Sequence, residues 1–181
     1  MKNINIPIDT NTIKTLRFKD EVLLTGTIYT GRDAAHKRLV AAIANKETPP
    51  FDLKNAIIYY VGPSPARPSY PIGAAGPTTS ARMDNYAKVL IPLGLKIMIG
   101  KGQRSEEIKE LIKEHQGLYL AATGGIAALI AKSIKSAQLI AYPDLGPEAI
   151  YRLEVKNFPA IVAYDTFGGD LYQSAIKEYK K

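Results

Sequence analysis

The chain has 181 residues, 46% hydrophobic and 23% charged, with a formal net charge of +7, the profile of a globular protein able to bury a sizeable core. It contains no cysteine and only two histidines, His36 and His115, which excludes disulfides, thiolate nucleophiles and a cysteine-ligated zinc or iron–sulfur site on this chain. Lysines are scattered among glutamates, as in Glu106-Glu107-Ile108-Lys109-Glu110, without the basic stripe interleaved with aromatics that nucleic-acid binding requires.

From Met1 to Phe18 the chain reads as an irregular or short-strand lead-in. Val22 to Tyr29 is β-rich and predicts a strand. Thr30-Gly31-Arg32-Asp33 turns into a helix over about Asp33 to Asn45, with Leu39, Val40 and Ile43 on its apolar side, and Lys46-Glu47-Thr48-Pro49-Pro50 stops it. Ala56 to Val61 is a compact apolar run, a buried strand. Gly62 to Pro77 is crowded with Pro, Gly, Ser and Ala, and reads as an ordered loop lining a site.

Gly76-Pro77-Thr78-Thr79-Ser80-Ala81-Arg82-Met83-Asp84 closes that loop. The hydroxyl residues are cap formers, so they predict a helix start, followed by a helix ending near Pro92. Leu95 to Ile99 is a strand, then Gly100-Lys101-Gly102 turns. Ser105 caps a helix carrying Glu106 and Glu107 in its first turn, and Gly117 ends it. His115, near that end, suits the helix dipole. Leu118 to Ala122 is a strand, and Thr123-Gly124-Gly125 leads into a helix through Ala127 to Ile130. Gln138 to Tyr142 is a short strand. Pro147 at a first-turn position predicts a helix through Leu153. Phe158 to Tyr164 is the last strand, and a Gly168-Gly169 turn leads to a lysine-rich helical tail. Alternating strands and helices imply one α/β domain over 1–181 with at least part of the sheet parallel. No apolar run is long enough for a membrane span, and Met1 to Asn5 lacks a signal core, so the chain is read as cytoplasmic, with no membrane partner.

Four glycine-flanked turns follow expected strands, and three carry a cation: Arg32, Arg82 and Lys101. In open α/β sheets that edge binds ligands, glycine permits close backbone approach, and two or three convergent cations suit a dicarboxylate. The bland alternative is a well-capped helix with solvated charges. Phosphate-loop, dinucleotide and nucleophile-elbow fingerprints are absent. Thr123-Gly124-Gly125 is a weak phosphate-loop candidate. His36, one turn into its helix, reads as a surface residue or one lying behind the site. Anion clamps and hydroxyls are present, but no strong base, metal set or nucleophile, so any electrophile must come from elsewhere.

Thr30-Gly31-Arg32-Asp33-Ala34-Ala35-His36, Gly76-Pro77-Thr78-Thr79 with Arg82-Met83-Asp84, and Ile99-Gly100-Lys101-Gly102 resemble the β subunit of class I, iron–sulfur-dependent fumarate hydratases. The β subunit of L(+)-tartrate dehydratase is the close relative. Thr123 to Leu129, Leu145 to Ile150, Glu154-Val155 and Phe158-Pro159-Ala160 continue the likeness, which runs in order from about Thr30 to Gly169. The resemblance implies a swivelling β/β/α fold, α/β with a mixed, largely parallel sheet and flanking helices. It implies a 4Fe–4S cluster held by a cysteine-bearing α subunit and none on this chain, with an active site at the interface between the two. Arg32, Arg82 and Lys101 would bind the carboxylates of fumarate or malate, and Thr78 would move the proton at the carbon beside one carboxylate, with Thr79 as the alternative. The expected activity is reversible hydration of fumarate to L-malate; L(+)-tartrate dehydration is one alternative and a stand-alone anion-binding α/β module another. A homodimer through the partner-binding patch is also expected to be possible.

Overall fold

Short runs of branched and aromatic residues between amphipathic stretches build a seven-stranded sheet with helices against it. The computed structural model describes residues 1–66, 68–122 and 127–179. In chain order the elements are β1 (Lys2–Asn5), α1 (Thr10–Thr15), β2 (Glu21–Thr30), α2 (Asp33–Ala44), β3 (Ile57–Tyr59), α3 (Asp84–Leu90), β4 (Ile97–Gly100), α4 (Glu106–Glu114), β5 (Leu118–Ala121), α5 (Ala127–Ser133), β6 (Ile134–Ala141), β7 (Ile150–Tyr164) and α6 (Leu171–Tyr179). Single 3₁₀ segments occupy Ser80–Met83 and Pro143–Glu148. No helix among the described residues is long and apolar enough to cross a membrane.

The strand order is β1-β2-β3-β4-β5-β7-β6, with β7 also paired to β2. Strands β1 to β5 run parallel to their neighbours. β7 is antiparallel to β2, β5 and β6. Because β7 holds β2 through Arg152–Ile161 and β5 through Ile161–Tyr164, the pairings of β2, β3, β4, β5 and β7 close on themselves. The expected α/β class with a mostly parallel sheet is thus what the chain adopts.

The central strands are buried on both faces, which is why they read as continuous apolar runs rather than alternating ones. Ile57, Tyr59, Ile97, Ile99, Leu118 and Leu120 enter one apolar cluster together with Leu24, Leu153 and Phe158. Their neighbours Ile58, Tyr60, Met98 and Tyr119 enter a second cluster, against Leu39 of α2, Leu90 of α3 and Ile112 of α4. Each such large side chain, fully buried, contributes roughly 1.5–3 kcal/mol. The described parts of the loop from Gly62 to Pro77 are tied down at Ser64, Ala74 and Ala75. Tyr59 donates its hydroxyl proton to the Ala75 carbonyl, Ser64 N–H bonds the Ala74 carbonyl at 3.0 Å, and Ala74 N–H returns to Ser64 Oγ at 2.8 Å.

The sequence reading needs four corrections. The lead-in holds a short strand, β1, as expected, but also helix α1, which was not expected, capped by Asp9, whose carboxylate accepts from Thr12 N–H at 2.9 Å. Pro147 begins no helix through Leu153. It lies in the 3₁₀ segment, broken by Gly146 at φ 54°, and β7 starts at Ile150. Ile150, Leu153 and Val155 are buried, and pairing with β2 on one side and β6 on the other outweighs the proline signal. β6 starts at Ile134, earlier than the expected Gln138. Thr78, Thr79 and Ser80 do not cap by side chain. Thr79 flanks the 3₁₀ segment without a side-chain cap bond. Thr78 N–H instead donates to the Tyr60 carbonyl at 2.8 Å and Ser80 N–H to the Lys101 carbonyl at 2.9 Å, so the segment is laid alongside β3 and β4. The cap expected at Ser105 is present, its Oγ accepting from Ile108 N–H.

Candidate active site

Parallel strands bring their C-terminal ends to one edge, so the turns after β2 and β4 meet there, with the Thr78–Arg82 segment between them. Gly31 N–H is bound to the Tyr59 carbonyl at 3.1 Å and Lys101 N–H to the Thr78 carbonyl at 3.3 Å. Thr79 and Lys101 form a parallel bridge. The expected Thr123-Gly124-Gly125 turn lies outside the described residues.

Arg82, with a side chain 47% exposed, lies side-on to Asp33 of α2. Its Nε–H donates to Asp33 Oδ1 at 3.0 Å and its Nη2–H to Oδ2 at 2.6 Å. Nη2 also donates to Thr78 Oγ1 at 3.2 Å. Partial burial is the largest single influence and pushes the Asp33 carboxyl up, but the Arg82 hydrogen bonds, the backbone N–H at the helix start and the charges of Arg82 and Arg32 together outweigh it and hold Asp33 below the usual carboxylate range. Those same bonds raise the Arg82 guanidinium further. Arg32, 28% exposed, stands beside this pair: its Nη2 is 3.5 Å from Glu148 Oε1 and its Nε 3.9 Å from Asp33 Oδ2. Glu148 also caps α2, accepting from Ala34 N–H at 3.0 Å where Arg32 offers no side-chain cap. Gly62 makes room for the Arg32 stem: a Cβ there would lie 2.8 Å from Arg32 Cδ. Lys101 is exposed, and its ammonium has no ion-pair partner among the described residues.

The structure therefore joins Arg82 and Arg32 through Asp33 and Thr78 through Arg82, and attaches Lys101 by backbone. Of the two threonines, Thr78 is the half-buried one whose hydroxyl meets Arg82; Thr79 is exposed.

A layer of buried polar groups lies behind this edge. His36 is buried, not at the surface, with Nδ1 2.9 Å from the Arg32 carbonyl. A carbonyl only accepts, so Nδ1 carries the proton. Burial pushes the imidazole pKa down to about 4 against the opposing pull of that hydrogen bond, so the ring is neutral at physiological pH. Arg104 is fully enclosed. Its Nε–H donates to Asp84 Oδ1 at 2.6 Å, and its guanidinium lies 5.4 Å and 5.1 Å from the ring centroids of Tyr60 and Tyr119. Asp84 Oδ2 accepts from Ser105 N–H at 2.8 Å, tying the Gly100–Arg104 turn to the start of α3. The Tyr119 hydroxyl donates to the Gly102 carbonyl at 2.8 Å and receives Ser80 Oγ at 2.9 Å. Gly100 is needed here: a Cβ on it would fall 2.0 Å from Ser80 Oγ.

Asp33, Glu148, Asp84 and Arg104 had no assigned role in the sequence reading. The alternation of acid with base in Gly31-Arg32-Asp33 and Arg82-Met83-Asp84 is the signal that points to two of them. Nothing local marks Arg104, and Glu148 was hidden by the helix expected at Pro147.

Chemically, this edge offers three cations and a hydroxyl next to one of them. It offers no thiolate, and no three His, Cys, Asp or Glu among the described residues are grouped to hold a metal ion.

Residues 1–175 match the family described as Fumarase C-terminus. The chain is 44% identical over 158 residues to "Fumarate hydratase class I, anaerobic" of Escherichia coli strain K12, covering 86% of this chain and 29% of that protein. It is 40% identical over 157 residues to "Fumarate hydratase 2" of Leishmania major, covering 86% and 28% respectively. With "Putative L(+)-tartrate dehydratase subunit beta" of Methanocaldococcus jannaschii it shares 40% identity over 176 residues, covering 93% of this chain and 90% of that one. The chain thus spans less than a third of the length of these two fumarate hydratases.

Proposed function

The chain belongs to the Fumarase C-terminus family, and from that premise we propose that it is the β-type part of a class I hydro-lyase that adds water reversibly across fumarate to give L-malate. The observation that carries this reading is the Arg82 guanidinium, held by Asp33 and donating to Thr78 Oγ1 at 3.2 Å, with Arg32 beside it and Lys101 on the adjoining turn.

In this reading Arg32, Arg82 and Lys101 hold the two carboxylates of the substrate and fix the reacting carbons against Thr78. Dehydration removes a proton from the carbon beside one carboxylate and hydroxide from the neighbouring carbon, for which the partner's cluster would supply a Lewis acid. Thr78 Oγ, as the alkoxide, takes the carbon-bound proton, and in the hydration direction returns it. A threonine hydroxyl is a weak base on its own. The Nη2–H of Arg82 on its oxygen favours the alkoxide, and the cations at the adjoining carboxylate stabilise the charge that develops there. The donor set of this chain does not fit a cysteine-ligated cluster. We assign the 4Fe–4S cluster to a cysteine-bearing α partner and the active site to the interface.

The test is anaerobic reconstitution with that partner, following loss of fumarate absorbance. The complex is expected to hydrate fumarate and the isolated chain to be inactive. Arg82→Ala in the complex is expected to lower kcat/KM by about 10²–10³-fold, the range for removing one preorganised charge-stabilising donor. Near-normal turnover by that variant refutes the site. A second substrate has its own support: a relative whose own length this chain covers to 90% carries the name "Putative L(+)-tartrate dehydratase subunit beta". Comparing kcat/KM for L-malate and L(+)-tartrate decides between them. A stand-alone anion-binding module would instead bind dicarboxylate tightly without a partner.

A further inference from the structure

We propose that Asp33 is a positioning residue that sets the plane of the Arg82 guanidinium and, through it, the direction of the Thr78 hydroxyl. The inference rests on the reading of the site given above and adds a residue to it.

A guanidinium has five N–H donors in one plane. Asp33 takes two of them along the Nε–Nη2 side, at 3.0 and 2.6 Å. Such a side-on fork fixes the plane as well as the position. The one remaining N–H of Nη2 is spent on Thr78 Oγ1 at 3.2 Å. Only the Nη1 end of Arg82 is left for a substrate carboxylate. Thr78 Oγ1, accepting from Arg82, must aim its own proton away from the guanidinium. Asp33 can do this because it opens α2, where a carboxylate suits the helix dipole, and because Arg32 Nε lies 3.9 Å from the same Oδ2. Its carboxyl is held below the ordinary range, so it is charged wherever the enzyme would work.

Asn in place of Asp33 keeps the size but presents an amide N–H₂ to one of the Arg82 donors, so the fork cannot form. Glu keeps the charge but displaces it by one methylene. Two measurements test the inference. The first is the ¹⁵N–¹H signal of Arg82 Nε in the isolated full chain. It is expected to be slow to exchange with water in the parent, lost to exchange in Asp33→Asn and partly kept in Asp33→Glu. The second is fumarate kinetics in the reconstituted complex. Asp33→Asn is expected to lower kcat by roughly 10- to 100-fold, the scale of a misplaced reacting group, with KM changing about threefold or less and Asp33→Glu recovering part of the loss. Thermal unfolding of each variant checks that the fold is kept. An unchanged Arg82 signal in Asp33→Asn overturns the inference, as does kcat within twofold of the parent. If Arg82→Ala itself leaves turnover intact, the proposed site fails. The Arg82 signal then still decides whether Asp33 holds that side chain.

Discussion

Replacing Gly100 by alanine tests how the site edge is assembled. The added Cβ falls 2.0 Å from Ser80 Oγ and 3.0 Å from Tyr60 Cδ2. Both neighbours are buried, and Ser80 is held by the Tyr119 hydroxyl and by its N–H on Lys101. Ser80 cannot swing away without losing the Tyr119 bond. Overpacking costs typically 1–3 kcal/mol, and losing a buried hydrogen bond adds about 1 kcal/mol. A destabilisation of about 3 kcal/mol follows, or roughly 6–12 °C in Tm for a chain of this size. Ser80→Ala alone costs about 1 kcal/mol, because Tyr119 keeps the Gly102 carbonyl as its acceptor. Combining the two removes the 2.0 Å overlap and leaves the new Cβ 3.3 Å from the Ser80 Cβ. The double variant is therefore expected to be more stable than Gly100→Ala, with a coupling of about 1–2 kcal/mol of the relieving sign. The assay is urea unfolding of the isolated chain by far-ultraviolet circular dichroism, since the sequence has no tryptophan. Additive losses in the double variant refute the reasoning, because they mean that Ser80 and Gly100 do not press on each other.

Two further stability measurements probe the layer behind the site. His36 is neutral when folded, with a pKa of about 4, while its unfolded value is near 6.5. Below pH 6.5 the unfolded chain takes up a proton that the folded chain refuses, so stability falls as pH drops from 6.5 toward 4, by up to about 3 kcal/mol. His36→Asn should flatten that segment of the Tm–pH curve relative to the parent; parallel curves refute the assignment. Asp84→Ala leaves the fully enclosed Arg104 without its carboxylate and should cost about 3–5 kcal/mol, the scale for breaking one partner out of a buried pair. A loss under about 1 kcal/mol in denaturant titration would show that the Tyr60 and Tyr119 rings alone hold that guanidinium.

What could be read from the sequence divides along physical lines. Ile57–Tyr59 and Leu118–Ala121 announced themselves because strands covered on both faces are apolar throughout, and α4 because its cap and first-turn acids are local signals. The turns bearing Arg32, Arg82 and Lys101 were legible because glycine and charge mark them without tertiary information. β7 was not legible beyond its last residues. Its first half alternates charged with apolar residues, as in Arg152-Leu153-Glu154-Val155, and a proline at a helix-start position spoke louder than that alternation. The partners of the cations were hidden for a different reason. An acid at a helix start reads as a dipole partner, and only the meeting of separate turns makes Asp33 the counter-ion of Arg82 or Glu148 that of Arg32.

The clasp made by β7 has a kinetic consequence. Glu21 pairs with Ile161 and Tyr29 with Arg152, contacts that join nearly opposite ends of the chain. Such non-local pairing raises contact order and slows folding. On a ribosome β2 to β5 emerge before β7, so β2 lacks that partner until the last strand of the sheet has been made. Until then the end of β2 that carries Arg32 is held to the end of β4 that carries Lys101 only through β3, by two residue pairs on the β2 side, so the spacing of the two clamps gains its second support in the closing event of folding.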